Sequence, residues 1–389
     1  MKIGILTYHR APNYGAFLQA YGLCMRLNEE PDLEAEIIDF RMRKEDDFYV
    51  NRNYPRMKTL RQFLWRIRHI PKYRFKEKLK KSFCRGLRQM PLSGQTLCSD
   101  SVEDFEEFVR DRYDVIIAGS DEIWKVDGYR GFPTPYWLPG DLGCVKLSYA
   151  ASSRSDFSKL NDSTLQQIRS YLNDFSYLSV RDELTRGSIL KYIQPSAAVG
   201  VYPDPSFVYD YHADGERGRS LLADRAGLDP EKPIALVMLE DPAAAEQIRK
   251  ELADDYQLTA VFSRHKGYRN LHDLDPFEWL DAIAGADLVC ASYFHAVCFS
   301  IVCGTPFLAI GADDKVSKLK EVVEASGNGA RLLPNDTTLY KEGYLGEKAR
   351  EFSSACGGSE YTAACRERFG EYVKLIRTLE KDPLHRRGK

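Results

Sequence analysis

The stretch Asp287-Leu-Val-Cys-Ala-Ser-Tyr-Phe-His295-Ala-Val-Cys-Phe-Ser-Ile-Val-Cys-Gly304-Thr-Pro306-Phe-Leu-Ala-Ile310 decides the fold. It reads as an apolar strand, a short turn, a helix opening at His295, a Gly-Thr-Pro break and a second strand. Strand, helix, strand is the repeating unit of a parallel α/β sheet, in which ligands bind outside the carboxyl ends of the strands. A helix that starts there turns N–H groups and the positive end of its dipole toward an anion. His295 lies in that first turn. It is placed either to give a proton to a phosphate- or carboxylate-bearing ligand or simply to satisfy backbone at a helix start, and position alone leaves both open.

The alternation extends outward from this stretch. Upstream, 233–239 reads as a strand, 242–252 as a helix, 258–262 as a strand and 276–284 as a helix with Pro276 at its first position. Further back, Lys2 to Thr7 is a buried strand, Asn13 opens a turn and helix, and Ala35 to Phe40 is the next strand. Strands also end at Ala118, Ala150 and Arg181. Pro203, Pro205 and the polar run to Arg219 interrupt the series. The expectation is α/β: two doubly wound Rossmann-like domains facing a cleft. Residues 1–205 form the first, acceptor-side domain with a basic helical insertion at about 51–90. Residues 206–360 form the second, donor-side domain, and the amphipathic helix in 361–389 is expected to pack back on the first.

Composition narrows the class. A 43% hydrophobic, 29% charged chain of 389 residues has the make-up of an ordinary globular protein large enough for two domains. Its nine cysteines form no C-x-x-C pair, which argues for a reducing compartment and against a disulfide framework. No apolar run is long enough to span a bilayer, and the expected location is cytoplasmic, peripheral on the inner membrane face. The charge is uneven. Residues 51–90 carry fourteen Lys or Arg against the single acid Glu77, so +13 there leaves −15 for the rest of a chain whose total is −2. Phe63, Leu64, Ile67 and Ile70 share a helical face while Arg61, Arg66 and Arg68 lie largely elsewhere. That pattern suits an anionic membrane surface. Its alternatives are a hairpin packed on the first domain and a nucleic-acid groove; no base-reading motif supports the last, and no nucleic acid is expected.

Polar residues gather at the expected strand ends. They are Asp121, Arg181 with Asp182, Arg264, His295, and the pair Lys315 and Lys318. Each has a plainer reading: Asp121 as a helix cap, Arg181 as half of an ion pair with Asp182, Arg264 as a solvated loop, the two lysines as a solvated helix face. G-x-G-x-x-G, the P-loop, G-x-S-x-G and H-E-x-x-H are all missing, and no spacing suggests a metal.

In order along the chain, Asn13-Tyr-Gly15-Ala-Phe-Leu-Gln19, Gly119-Ser-Asp121-Glu-Ile-Trp124, Ser179-Val-Arg181-Asp182, Pro203-Asp204-Pro205 and Ser292-Tyr-Phe-His295-Ala followed by Gly304-Thr-Pro306 resemble the motifs of the polysaccharide pyruvyl transferase family. The resemblance covers roughly residues 1 to 335. Many members carry Arg-Leu-His where this chain has Tyr293-Phe-His295, so one cation is missing beside the histidine. The resemblance implies a GT-B-like fold and transfer of pyruvate from phosphoenolpyruvate onto two hydroxyls of a sugar, on a glycan or a lipid-linked precursor. It further implies His295 as general acid, Arg181 and Lys315 or Lys318 as holders of carboxylate and phosphate, Asp121 as base or orienter of the acceptor, and Asn13 as an acceptor contact. No cofactor or metal is expected. The rival readings are a GT-B-type glycosyltransferase using a nucleotide sugar and a non-catalytic membrane-associated binding module.

Overall fold

Two parallel sheets organise the chain. The structure, a computed structural model, describes residues 1–53, 70–311, 316–334 and 341–380. Its first elements are β1 (Lys2–Leu6), α1 (Tyr14–Asn28), β2 (Glu34–Ile37), β3 (Phe40–Arg41), α2 (Arg43–Asn53), α3 (Ile70–Leu87) and β4 (Leu97–Cys98). Next come α4 (Val102–Val109), β5 (Val115–Ala118), β6 (Val145–Ser148), α5 (Asp162–Asn173), β7 (Leu178–Val180), α6 (Glu183–Ser188) and β8 (Val199–Val201). The series resumes with α7 (Gly215–Ala226), β9 (Ile234–Met238), α8 (Pro242–Leu252), β10 (Gln257–Val261), β11 (Arg269–Leu271), α9 (Pro276–Ala284) and β12 (Leu288–Ala291). It closes with α10 (Phe294–Cys303), β13 (Phe307–Gly311), α11 (Val316–Ala325), β14 (Leu332–Pro334), α12 (Tyr344–Glu351) and α13 (Ser359–Glu380).

One compact unit comprises the described residues of Met1–Ile70, Gln89–Tyr209 and Cys365–Lys389; the other comprises those of Pro71–Arg88 and Asp210–Ala364. In the first, β2-β1-β5-β6 is wholly parallel. Bridges from Leu147 to Tyr177 and from Ala151 to Val180 carry it on to β7, which pairs with β8. The strand order therefore reverses between β1 and β5. In the second unit the order is β11-β10-β9-β12-β13-β14, again parallel throughout. Counted within that unit this is 3-2-1-4-5-6, the dinucleotide-fold order, and it reverses between β9 and β12.

Local sequence explains these elements. Strands β5, β9, β12 and β13 are buried at every residue, as expected where helices cover both faces of a parallel sheet. Asp241 caps α8 with Pro242 in the first turn, and Asp275 forms a capping box with Glu278 at the start of α9. Helices α7 and α9 meet backbone to backbone: a Cβ on Gly218 would stand 1.8 Å from the Asp281 carbonyl oxygen.

Residues 71–88, expected within an insertion of the first domain, cluster with the second unit. The reason is amphipathicity. Phe75 and Phe83 are buried, Phe75 packs on His272 with ring centroids 5.2 Å apart, and Arg85 donates to the Asp273 carbonyl at 2.6 Å and pairs with Glu278 at 2.9 Å. The apolar face of α3 thus packs on protein instead of facing lipid. Phe63, Leu64, Ile67 and Arg61, Arg66 and Arg68 lie outside the described residues. From Cys365 onward helix α13 belongs to the first unit. The Tyr372 hydroxyl donates to the Ser148 carbonyl at 2.9 Å, its ring packs on Tyr149, and Arg377 binds Glu30 and Asp32. Among the described residues no helix is long and apolar enough to cross a membrane.

Candidate functional site

Each sheet has a point where strand order reverses, and there the carboxyl ends of neighbouring strands open a crevice. In the second unit that point lies between β9 and β12. The chain leaving β12 passes through Ser292 and Tyr293 directly into α10, so His295 stands in the first turn of a helix that begins at the crevice. Tyr293 is the N-cap and provides no side-chain cap. The helix stops cleanly at Gly304, which adopts a left-handed φ of 70°. Ser292 ties the two strand ends together: its N–H donates to the Met238 carbonyl at 3.0 Å and its hydroxyl accepts from Glu240 N–H at 3.3 Å. The His295 ring is half-buried and sits edge-on to Phe294 at 5.1 Å.

The neighbouring β10 loop closes on the same end of the sheet. His265 Nε2 lies 3.2 Å from the Leu239 carbonyl, and Arg264 beside it is exposed. Lys315 lies outside the described residues, as does the side chain of Lys318, although the latter's backbone belongs to α11. A cavity of about 800 Å³ elsewhere in this unit is lined by Lys232, Gln257 and Arg269. It lies at the amino ends of β9, β10 and β11, the opposite edge from His295.

In the first unit the reversal lies between β1 and β5. Thr7 Oγ1 donates to the Ser120 carbonyl at 3.0 Å, and Tyr8 donates to the Glu122 carbonyl at 3.2 Å. Gly119 permits this approach, since a Cβ there would sit 3.0 Å from Thr7 Cβ. Asn13 caps α1, its Oδ1 accepting from the N–H groups of Gly15 and Ala16 at 3.1 and 3.2 Å. Asp121 is not the helix cap that its position allowed. It holds a left-handed φ of 79°, bridges Ala151 across the strand ends, and accepts from Glu122 N–H at 2.8 Å. Ala150, just beyond β6, and Phe262, just beyond β10, are left-handed as well, with φ of 47° and 69°. Each such backbone costs about 1–3 kcal/mol and persists only where its surroundings enforce it. These three stand at carboxyl strand ends, whereas Asp111, Leu138, Gln194 and His212, also left-handed, lie elsewhere.

Arg181 is not paired with Asp182. Its guanidinium, 7% exposed, binds Asp204 at 3.1 Å. Burial works against its charge, but Asp204, Asp121 and Asp182 outweigh that and hold it above its ordinary value. Asp182 instead caps α6 through Thr185 N–H and accepts from Ser152. Arg181 therefore fixes the end of β7 to the 203–205 turn through this pair.

A cluster that carried no role in the sequence reading also stands here. Asp39 accepts from Arg10 through both oxygens at 2.5 Å, from Thr96 at 2.5 Å and from His9 Nε2 at 3.1 Å. Burial pushes its pKa up, but these three partners win and hold the carboxyl far below its usual range. The other His9 nitrogen, Nδ1, lies 3.1 Å from the Thr7 carbonyl oxygen. The available signal was adjacency: His9 and Arg10 follow the end of β1 within four residues.

The sequence profile of the family described as polysaccharide pyruvyl transferase matches residues 13–314. Among curated proteins nothing matches. Among solved structures, UDP-GlcNAc 2-epimerase from Methanocaldococcus jannaschii superposes with a TM-score of 0.55 at 12% identity, covering 97% of this chain and 100% of that one. UDP-GlcNAc 2-epimerase from Neisseria meningitidis bound to UDP-GlcNAc gives a TM-score of 0.52 at 9% identity, covering 98% and 100%. At such identities the likeness concerns the fold alone, which is GT-B-like with Rossmann-like units.

Proposed function

The chain belongs to the polysaccharide pyruvyl transferase family and is a transferase, and we propose that it moves pyruvate from phosphoenolpyruvate onto two hydroxyls of a sugar in a lipid-linked polysaccharide precursor. The observation that carries the reading is His295 in the first turn of α10, at the β9/β12 reversal. A protonated imidazole there gives its proton to the methylene carbon of the enol phosphate and leaves the central carbon electrophilic. One sugar hydroxyl attacks that carbon, phosphate leaves, and the second hydroxyl closes a cyclic ketal. Of the two hydroxyl protons, one ends in the new methyl group by way of the histidine and one leaves with phosphate. The helix start favours the donor's negative charge, and Arg264, with Lys315 or Lys318, supplies cations for phosphate and carboxylate. Asp121 in the first unit is the proposed base for the acceptor hydroxyl, with Asn13 as an acceptor contact. A lipid-linked acceptor places the reaction at the cytoplasmic membrane face.

The test is incubation of purified protein with phosphoenolpyruvate and candidate acceptor glycans. The expected result is phosphate release with an acceptor mass gain of pyruvate minus water. His295→Ala is expected to slow turnover by about 10²- to 10⁴-fold, the usual contribution of general acid catalysis, with an unchanged melting temperature. A His295→Ala protein that turns over at the normal rate removes the mechanism.

A further inference from the structure

The fold turns the basic segment into a defined surface. Helix α3 hides Phe75, Ser82 and Phe83 against the second unit. Its outward side carries Arg74, Lys78, Lys81 and Arg85, with Arg88 just past its end, and every one of these is exposed. Their spacing of four, three, four and three residues keeps them on one line, about 21 Å long at 1.5 Å per residue. Arg85 is tethered to Glu278, but among the described residues no carboxylate pairs with Arg74, Lys78, Lys81 or Arg88. Lys80, also exposed, widens the strip.

Like charges three and four residues apart on a helix repel one another. A surface helix built for stability alone would pair its cations with acids, as Arg26 in the last turn of α1 pairs with Glu29 and Glu30 just beyond it. The uncompensated line on α3 points to an anionic partner. The partner's shape follows from the packing. Between Arg74 and Arg88 the aromatic rings, Phe75 and Phe83, face inward, so neither is offered to stack on a nucleic-acid base. What remains is a straight, ring-free row of cations on a convex helix, suited to a flat layer of negative headgroups and not to a groove reader.

We propose that this strip of α3 docks the protein electrostatically on an anionic lipid surface. The aromatic face takes no part, so docking is adsorption without insertion. The argument rests on the charge pattern and not on the donor chemistry, so the two readings fail separately.

Flotation of the full chain with phosphatidylcholine vesicles, with and without phosphatidylglycerol, tests it. Binding is expected only to the phosphatidylglycerol vesicles and is expected to fall as salt rises. The double variant Lys78→Gln/Lys81→Gln should keep its circular dichroism and melting temperature. It should lose about 25-fold in partitioning, about fivefold for each cation removed. Its phosphate release with a water-soluble acceptor should stay at the wild-type level. Equal binding to neutral vesicles, undiminished binding by the folded variant, or retention by an anionic glycan or duplex DNA without vesicle binding would each overturn the proposal.

Discussion

Asp39 and its partners show how much one carboxylate can hold. The side chain is 3% exposed and lies between Arg10, His9 and Thr96. Removing its charge leaves the Arg10 guanidinium with half of a bidentate pair at a buried site, so Asp39→Asn is expected to cost about 3 kcal/mol. The pH dependence has a definite sign. The folded carboxyl titrates below its unfolded value of about 3.9, so its stabilisation is complete above that value and drains away as pH falls toward the folded one. Urea melts should show a constant gap between wild type and variant from about pH 5 to 8, narrowing below about pH 4. A gap that holds unchanged into strong acid would mean the carboxylate is not what stabilises the cluster. His9 and Arg10 stood in view in the sequence, within four residues of the end of the first strand, but their partner Asp39 comes from another strand end. Pairing across strands leaves no trace in local spacing. Arg181 illustrates the same limit: its adjacent acid Asp182 caps a helix, while its actual partner Asp204 is distant in sequence.

Elements were more legible than contacts. Helices at Pro242–Leu252 and Pro276–Ala284 fall where proline and acidic caps place them, and α10 begins beside His295 as the Asp287–Ile310 stretch indicates. These boundaries are written by backbone chemistry within a few residues. What a helix packs against is not. The sequence marks 51–90 as basic and helical, yet the cover of α3, the start of α9, lies nearly two hundred residues away, and nothing in a single sequence names it. The α7–α9 crossing is a sharper case. Gly215 and Gly218 look like poor helix formers, but they let α7 touch the backbone of α9 and Gly285. Gly218→Ala would gain helix propensity of about 1 kcal/mol and still destabilise, because its Cβ would overlap the Asp281 carbonyl. The expected net loss is about 3 kcal/mol in denaturant melts of the whole chain. A neutral or stabilising Gly218→Ala would show that the two helices are not in backbone contact.

The whole chain shares its fold with nucleotide-sugar epimerases at 9–12% identity, so the architecture does not identify the donor. The donor is decided by what stands at the strand ends, and binding can report it without turnover. The two units have separate cores, and a protein so built need not unfold in one step. Two calorimetric transitions are expected. Gly218→Ala lowers the one that belongs to the second unit, and Asp39→Asn lowers the one that belongs to the first. Phosphoenolpyruvate, if held by the His295 end of the second sheet, should raise the transition that Gly218→Ala marks. At a hundred times its dissociation constant linkage adds about 2.7 kcal/mol, which corresponds to roughly 7 °C for a unit of this size. UDP-GlcNAc should leave both transitions in place. Protection by UDP-GlcNAc with none by phosphoenolpyruvate would turn the assignment toward sugar transfer. A phosphoenolpyruvate shift confined to the transition that Asp39→Asn marks would move the donor to the first unit and take the acid role from His295.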